Sequence, residues 1–401
     1  MYPPATHYSA LPTDPEDIYV YKSKPTWRRI VFTRRFLLGI SGSLFIFLLI
    51  GFWSRRKLHS AQAALDAATL PEDLFVFNNV SRPHWLDVPL PEPLVLRIAV
   101  ITRVDAYERR QSLRDNIFRG VGEKDISMVY RFFVGAAPHT EQGNTDRRLV
   151  EEENRKHNDI IVLDDIDDIP ERISEKRYAA FKWAGSVPNS TYDYFLTVDS
   201  DTFVRFMPLA RRLPQLYGDK KINPREDPLI IGRMGSHLTY FLPTVPDGNK
   251  DEHLQDMHVK GPWFPYPIGI GYMISSALVN IFLSTDPPLT HHIHYPSDDV
   301  MIGTWIASLR YFPDKTIEFE EIPKNENDTS HTRFYPEPYL PYAVDTLIIN
   351  DVPGWHDFPA RGGQEGPITW DSICIHRLKA HEMKELRNRP EFLLEWDAKL
   401  S

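Results

Sequence analysis

Two carboxylates two residues apart, Asp199 and Asp201, directly follow the largely apolar run of residues 192–198. Carboxylate oxygens are the hard ligands that Mg²⁺ and Mn²⁺ prefer, and a nucleotide diphosphate needs such a cation to neutralise its charge, above all as a leaving group. An acidic turn before a helix gives the same pattern without any function. By itself, the pair therefore predicts either a cation–diphosphate site or a structural turn.

A phosphatase of the haloacid-dehalogenase type is a second chemistry that uses two such carboxylates after a strand. In those enzymes a threonine lies four residues past the nucleophile. Phe203 has that position here, and Thr202 comes one residue too early. The pair also lies in mid-chain rather than on the first strand, so the sequence disfavours this chemistry.

Two later segments carry further candidate side chains. Residues 295–309 predict a helix with Asp298 and Asp299 in its first turn; one of them could act as a general base, or both could simply complement the helix dipole, which is worth about 0.3–1 kcal/mol. Residues 372–383 predict a short apolar strand that delivers His376 just before a helix. A lone histidine at such a junction is either structural or a ligand.

Glycines mark a third segment, residues 263–275. Gly269 and Gly271 permit a close backbone approach or a bulge in a strand. Neither GxGxxG nor GxxxxGKS occurs in the sequence, so no phosphate loop of the Rossmann or Walker type is predicted.

The elements that must position these residues alternate between strand-like and helix-like segments. Strands are predicted at residues 95–104, 126–135, 159–166 and 192–201, and helices at 107–120, in the charged stretch up to 157, and at 171–186. Such alternation is typical of an α/β sheet with helices on both faces, in which ligands bind at the carboxyl ends of the strands. Asp199 and Asp201 fall at such an end.

Charge and cysteine content restrict the possible partners. The chain has 46 basic and 55 acidic residues and a net charge of -9, which argues against nucleic acid because phosphate binding needs a basic field. Cys374 is the one cysteine, so no intrachain disulfide can form. We expect a buried thiol there, with an interchain bridge as the alternative.

The N-terminal part of the sequence predicts a membrane anchor. Residues 36–53 form an uncharged, mainly apolar run, which at about 1.5 Å per residue nearly spans a ~30 Å hydrocarbon core. Basic residues are more numerous before this run than directly after it, which predicts a cytosolic N-terminus. We therefore expect a single-pass type II protein of the Golgi membrane, with the remainder of the chain in the lumen. The predicted organisation is a cytosolic tail (1–33), a transmembrane anchor (34–54), a lumenal stem (55–94), the main α/β domain (95–390) and a C-terminal tail (391–401).

Taken together and in this order, the segments resemble the inverting β-1,3-galactosyltransferase family (glycosyltransferase family 31, which includes the fringe N-acetylglucosaminyltransferases). Residues 107–118 (YERRQSLRDNIF) are similar to the family's ERRxAIRxTW, residues 175–183 (EKRYAAFKW) to LKTLxGLxW, and residues 196–205 (LTVDSDTFVR) to LKVDDDTFVN. Residues 266–275 (YPIGIGYMIS) are similar to YPPYCSGGGYVLS, residues 298–303 (DDVMIG) to EDVYVG, and residues 376–383 (HRLKAHEM) to HxLSPxEM. The similarity covers about residues 96–385.

The resemblance implies a GT-A-type fold, a Rossmann-like mixed sheet flanked by helices, and a metal-dependent inverting hexosyltransferase in residues 95–390. It implies that Asp199 and Asp201 hold Mn²⁺ (or Mg²⁺) and the diphosphate of a UDP-sugar, with Asp201 the more direct ligand. His376 would complete the metal site, and Asp299 would be the catalytic base. Four basic residues would lie near the nucleotide end of the cleft: Arg109, Arg110, Arg114 and Lys176.

Donor and acceptor follow from the resemblance alone. UDP-galactose is the expected donor, UDP-N-acetylglucosamine the alternative, and a hydroxyl of a glycan or glycoprotein the expected acceptor, joined in a β-1,3 linkage. The family's usual cysteines are missing around Gly269, and its EDV has become Asp298-Asp299-Val300; both departures bear on donor and acceptor. Two other classes stay open: a catalytically silent lumenal glycan-binding protein on the same fold, and a hydrolase that uses the same acidic cluster.

Overall fold

A computed structural model describes the chain at residues 70–77, 80–240, 259–285, 289, 298–309, 319–321, 333–334, 344–358 and 367–397. These residues belong to one compact unit, Thr69–Ser401. The predicted cytosolic tail (1–33) and transmembrane anchor (34–54) lie outside the described residues. Within the described ranges, no helix is both long enough and apolar enough to cross a membrane.

Twelve strands are present in the described ranges. They are β1 (Leu94–Thr102), β2 (Ile126–Ala136), β3 (Ile160–Asp167), β4 (Tyr194–Asp199), β5 (Phe203–Val204), β6 (Leu229–Tyr240), β7 (Val259–Ser275), β8 (Phe319–Glu321), β9 (Arg333–Phe334), β10 (Leu347–Asn350), β11 (Trp355–Asp357) and β12 (Cys374–His376). The four strands that the sequence predicts correspond to β1 to β4, within two residues at every boundary.

The strands form one large mixed sheet and one small sheet. The large sheet has the order β10-β6-β7-β4-β1-β2-β3; in addition, β8 pairs with β7 and β9 pairs with β8. β1 runs parallel to β2 and β4, and β2 runs parallel to β3, whereas β7 is antiparallel to both β4 and β6. The small sheet has the order β11-β12-β5. The predicted α/β class with a mixed sheet is confirmed.

Seven α-helices lie in the described part of the chain. They are α1 (Tyr107–Leu113), α2 (Glu141–His157), α3 (Ile173–Ala184), α4 (Phe206–Tyr217), α5 (Ser276–Leu283), α6 (Asp298–Ser308) and α7 (Ala380–Arg387). Local chemistry sets their ends, as α2 illustrates. Thr140 caps its first turn by accepting a hydrogen bond from Gly143 N–H at 3.0 Å, and Asn158 ends it in the left-handed conformation.

Apolar residues cover both faces of the central strands. On β1, Ile98 and Val100 belong to one buried cluster, whereas Ala99 and Ile101 belong to a second. Because successive side chains of a strand point to opposite faces, the sheet is buried on both sides. The continuous apolar run that predicts β1 reflects this double burial.

The folded unit extends beyond the predicted 95–390 domain in both directions. Leu70 and Phe77, in the predicted stem, are buried in the core, as are Phe392 and Trp396 in the predicted C-terminal tail. At these positions of the predicted stem, the apolar side chains pack onto the domain. Residues 391–397, in the predicted C-terminal tail, are likewise packed onto the domain through Phe392 and Trp396.

Candidate active site

β4 carries Asp199 and Asp201 to the carboxyl edge of the large sheet. The strand ends at Asp199, whose register partner on the parallel strand β1 is Ile101. The chain then turns, with Ser200 N–H donating to the Ile101 carbonyl at 3.0 Å and Thr202 N–H to the Asp199 carbonyl at 3.1 Å. Both carboxylates therefore lie at the edge where α/β sheets bind ligands.

His376 reaches the same place from the small sheet. β12 ends at His376 and pairs antiparallel with β5, the strand that follows Asp201. Nε2 of His376 lies 3.2 Å from Oδ1 of Asp201, and Leu378 N–H donates to the Asp201 carbonyl at 2.9 Å. One ligand atom each of Asp199, Asp201 and His376 lie within 4.8 Å of one another.

Asp357 holds the other side of the His376 ring. Oδ1 of Asp357 lies 3.2 Å from Nδ1 of His376 and accepts a hydrogen bond from Nε of Arg377 at 2.5 Å. Arg377 has a φ of 69°, in the left-handed region that non-glycine residues seldom adopt. A carboxylate at Nδ1 favours a proton there and directs the lone pair of Nε2 toward the acidic pair, the arrangement common for metal-binding histidines.

The pKa values of the three side chains in this cluster are shifted in different directions. Burial tends to raise the pKa of Asp201, but the hydrogen bond and charge of His376 outweigh burial, and the pKa is lowered. Burial tends to lower the pKa of His376, but its bond to Asp201 outweighs it and the pKa is raised. For Asp199, burial raises the pKa despite the opposing charge of Arg177. Asp201 and His376 therefore each stabilise the charged form of the other.

The donor set fits a divalent cation. Two carboxylates and one imidazole, with partly exposed side chains, suit a hard to borderline ion such as Mn²⁺, since carboxylates favour Mg²⁺ and Mn²⁺ and imidazole the transition metals. A bound cation would supply the counter-charge of the carboxylates. Asp199, Asp201 and His376 are thus the residues that could hold a metal ion here.

A buried cation, Arg177, lies behind this cluster. Its Nη2 lies 3.2 Å from Oδ1 of Asp199, its Nη1 donates to Thr197 Oγ1 at 2.6 Å, and its Nε contacts Oδ2 of Asp298 at 2.6 Å. Burial alone would lower the pKa of Arg177, but the charges of Asp298 and Asp199 outweigh it and raise that pKa well above its ordinary value.

Asp299, the predicted base, lies in the first turn of α6 next to Asp298 and is buried. A Cβ built on Gly269 would lie 3.2 Å from Oδ2 of Asp299, so the absence of a side chain on β7 leaves room for this carboxylate. Burial, followed by the like charge of Asp298, raises the pKa of Asp299 well above its usual range. A carboxylate with a raised pKa is a stronger base, as proton abstraction from a hydroxyl requires.

Gly271 lets β7 approach the acidic strand closely. Its φ is 121°, and a Cβ there would lie 2.8 Å from the Thr197 carbonyl oxygen. Only glycine combines this backbone conformation with that contact. The predicted close approach at this segment is present.

Arg109 is the one member of the four predicted nucleotide-binding residues that contacts the acidic pair in the described structure. Its Nη1 lies 3.7 Å from Oδ2 of Asp201, and its side chain is 46% exposed. The guanidinium therefore stands at the open side of the cluster, where a diphosphate could reach it.

The other three basic residues are engaged inside the protein. Arg110 and Arg114 share Glu153 at 2.6 and 2.7 Å, and Arg114 also contacts Asp159 at 2.8 Å. Nζ of Lys176 lies 2.7 Å from Asp168, and burial lowers its pKa. Their binding of a nucleotide stays a prediction.

Comparison with known proteins assigns the chain to a family. A family model described as Galactosyltransferase matches residues 108–313, just over half of the chain. The chain belongs to the galactosyltransferase family. The matched region of this galactosyltransferase-family protein includes Asp199, Asp201 and Asp299, whereas His376 lies beyond it.

Curated relatives carry related activities in their names. The chain is 25% identical over 232 residues to hydroxyproline O-galactosyltransferase HPGT1 of Arabidopsis thaliana (54% of this chain, 61% of the relative) and 28% identical over 219 residues to β-1,3-galactosyltransferase 6 of Mus musculus (53% and 60%). It is 25% identical over 267 residues to N-acetyllactosaminide β-1,3-N-acetylglucosaminyltransferase 2 of Mus musculus (64% and 61%). The chain thus spans about three fifths of the length of these relatives.

A solved structure of a glycosyltransferase involved in the glycosylation of the major capsid of PBCV-1 aligns with 74% of this galactosyltransferase-family chain and 100% of its own, at 12% identity. Its TM-score is 0.28, too low to support a conclusion about fold or function.

Two residues of the site in this galactosyltransferase-family protein, Arg177 and Asp357, are not predicted from the sequence. Arg177 directly follows Lys176, and the side chain that contacts Asp199 is that of Arg177. The signal that could have found it is a charged residue at helical spacing from the apolar residues Ala180, Phe181 and Ala184 of α3. Asp357 carries no such signal, because only the pairing of β11 with β12 places it opposite His376.

Proposed function

We propose that this protein is an inverting, metal-dependent hexosyltransferase with a GT-A-type fold, which moves a sugar from a UDP-sugar to a glycan hydroxyl. The observation that carries the proposal is the convergence of Asp199, Asp201 and His376 at one edge of the sheet. The buried Asp299 and the membership of the chain in the galactosyltransferase family support it. UDP-galactose is the favoured donor, with UDP-N-acetylglucosamine second, and the proposed product carries a β-1,3 linkage.

The proposed reaction is a single displacement. Asp299 takes the proton of the acceptor hydroxyl, whose oxygen forms a bond to the anomeric carbon of the donor. The bond from that carbon to the diphosphate oxygen breaks, and its electron pair leaves with UDP. One displacement inverts the anomeric centre, so an α-linked donor gives a β-linked product. The raised pKa of Asp299 supports its role as the base.

The remaining residues prepare the leaving group. Asp199, Asp201 and His376 would hold Mn²⁺ or Mg²⁺, and the bound ion would supply positive charge to the departing diphosphate. Arg109, half-exposed beside Asp201, would contact the phosphates directly. Asp357 would keep His376 in the binding orientation.

The proposed location is the Golgi membrane, with a type II orientation and the described domain in the lumen. The support is the uncharged run of residues 36–53 and the excess of basic residues before it. A glycan or glycoprotein of the secretory route is then the proposed acceptor.

A donor screen on the purified full-length chain tests the proposal. UDP release is measured with each UDP-sugar and Mn²⁺, with and without candidate acceptors. We expect one donor to release UDP in an acceptor-dependent manner, and Asp201→Ala to lower that release at least about a hundredfold, since it removes a metal ligand. Asp146→Ala, which changes a partly exposed aspartate on α2, is the matched control.

Each other outcome has a distinct meaning. Full turnover of the wild-type protein in excess chelator would contradict the metal-dependent mechanism. Glycan binding without turnover of any donor would indicate a silent glycan-binding protein. Release of free sugar without an acceptor would indicate a hydrolase.

A further inference from the structure

Arg177 joins three groups that belong to two different elements. On β4 it contacts Oδ1 of Asp199 at 3.2 Å and Thr197 Oγ1 at 2.6 Å, and on α6 it contacts Oδ2 of Asp298 at 2.6 Å. Every nitrogen of the guanidinium is therefore used, and the planar group fixes the directions of its partners. The side chain is 4% exposed, so solvent does not weaken these contacts.

The strand end and the helix start would repel each other without this cation. Asp199, Asp298 and Asp299 are carboxylates that interact electrostatically with one another. Buried carboxylates are costly unless a charge and hydrogen bonds compensate them. Arg177 forms ion pairs with Asp199 and Asp298, and its positive charge also interacts with Asp299.

On the cation side, Arg177 restricts Asp199. With Oδ1 anchored by the guanidinium, the carboxylate cannot rotate freely about its terminal torsion. A ligand that is already oriented loses less conformational freedom when an ion binds. Arg177 therefore prepares Asp199 for a cation that Asp201 and His376 bind from the open side.

On the other side, Arg177 restricts the first turn of α6. Asp298 and Asp299 are consecutive residues of that turn. The hydrogen bond from Arg177 to Asp298 therefore also fixes the backbone position of Asp299. Gly269 leaves space for the Asp299 carboxylate. A Cβ on Gly269 would lie 3.2 Å from Oδ2 of Asp299. A shift of the turn by a fraction of an ångström would change that position.

We infer that Arg177 is a positioning residue that couples the two halves of the active site, orienting Asp199 for the cation and holding the α6 turn so that Asp299 reaches the acceptor. The inference rests on the proposed function for the role of Asp299, whereas the orientation of Asp199 concerns cation binding alone. Arg177 touches neither donor nor acceptor in this scheme.

Arg177→Lys is the principal test, because an ammonium keeps the charge but cannot reach three acceptors in one plane. Mn²⁺ affinity of the full-length chain is measured by calorimetry, and amide hydrogen exchange is followed for residues 298–308. We expect about a tenfold weaker Mn²⁺ affinity and at least about a tenfold faster exchange in the α6 turn. With UDP-galactose at saturating Mn²⁺, we expect kcat to fall more than tenfold while the KM of the donor changes less than threefold, since the lost interaction acts on the base.

Arg211→Lys provides the matched control. Arg211 is also buried and forms a bidentate pair with Asp125 at 2.8 and 3.0 Å, at the start of β2 and hence at the opposite edge of the sheet. We expect a similar loss of thermal stability with Mn²⁺ affinity, α6 exchange and kcat unchanged. Equal behaviour of the two variants in these three measurements would overturn the inference, because Arg177 would then be an ordinary buried ion pair.

Asp298→Asn separates the two halves and covers the case in which Arg177→Lys fails to fold. The amide keeps the size of Asp298 but weakens its bond to Arg177, while the contact with Asp199 stays. We expect kcat to fall about tenfold and Mn²⁺ affinity to change less than twofold; unchanged kcat would overturn the coupling. If wild-type protein binds Mn²⁺ but turns over no donor, the proposed transfer fails, and calorimetry and exchange still decide the role of Arg177.

Discussion

Replacing Asp357 by alanine removes the carboxylate that faces Nδ1 of His376 without touching any candidate ligand of the cation. The two side chains are 16% and 13% exposed, and Nδ1 lies 3.2 Å from Oδ1. Removing such a partner of a metal-binding histidine usually costs 10–100-fold in affinity. Because 3.2 Å is at the long end of N–H···O distances, we expect the lower part of this range, about 10–30-fold, which corresponds to about 1.4–2 kcal/mol.

Calorimetric titration of metal-free protein with Mn²⁺ measures this effect independently of turnover. Asp357→Asn keeps an acceptor oxygen opposite Nδ1 and should weaken Mn²⁺ binding less than about threefold. Arg377→Ala removes the other partner of Asp357 and should leave the affinity within about twofold, since that guanidinium is 45% exposed. Wild-type affinity in Asp357→Ala would refute the orienting role, and equal losses in Asp357→Ala and Arg377→Ala would instead indicate a general disturbance of this segment.

Three further predictions concern the base, the strand contact and acid stability. Asp299→Asn should lower transfer more than about a hundredfold by removing the base while calorimetry shows unchanged UDP binding; lost UDP binding would place Asp299 on the cation side. Gly271→Ala should destabilise the fold by at least about 1–3 kcal/mol in urea unfolding, given its φ and a Cβ 2.8 Å from the nearest oxygen, whereas Gly122→Ala, with no atom nearer than 3.9 Å, should cost little. Burial lowers the pKa of His356 from 6.5 to about 4, so the unfolded chain takes up the proton first and stability falls as pH decreases from 6.5 toward 4. His356→Gln should therefore lose about 2 kcal/mol less than wild type between pH 7 and pH 5, and equal pH slopes would argue against this assignment.

The elements that the sequence predicts correctly are those set by the pattern of neighbouring residues along the chain. The apolar runs of β1 and β4, with the acidic pair at the end of β4, are visible in the sequence because a strand buried on both faces is continuously apolar. The predicted helix at residues 107–120 is present as α1, which continues as a π-helical segment to Phe118, and Gly120 has a φ of 82°. That glycine marks the end of the helix, as expected.

Contacts across the fold escaped prediction for a physical reason. The pairing of Asp357 with His376 depends on the register of β11 and β12, and that of Arg177 with Asp298 on the packing of α3 against α6. Neither is set by spacing along the chain. The burial of Leu70 and Phe77, in the predicted stem, likewise depends on contacts with distant parts of the chain, such as the hydrogen bond from Leu70 N–H to Glu385.

The pairing of β5 with β12 also determines when a cation can bind as the chain folds. Asp201 precedes β5 and His376 ends β12, and the same region is closed by Arg205 and Glu395, which are hydrogen-bonded although 190 residues apart. Such distant contacts form late, because a long loop must close before they are made. A chain that has assembled only β1 to β4 would hold the two aspartates without the imidazole, and would bind an ion weakly. Tight binding would thus occur only in chains whose two sheets have already docked. The ion would therefore slow unfolding more than it speeds folding.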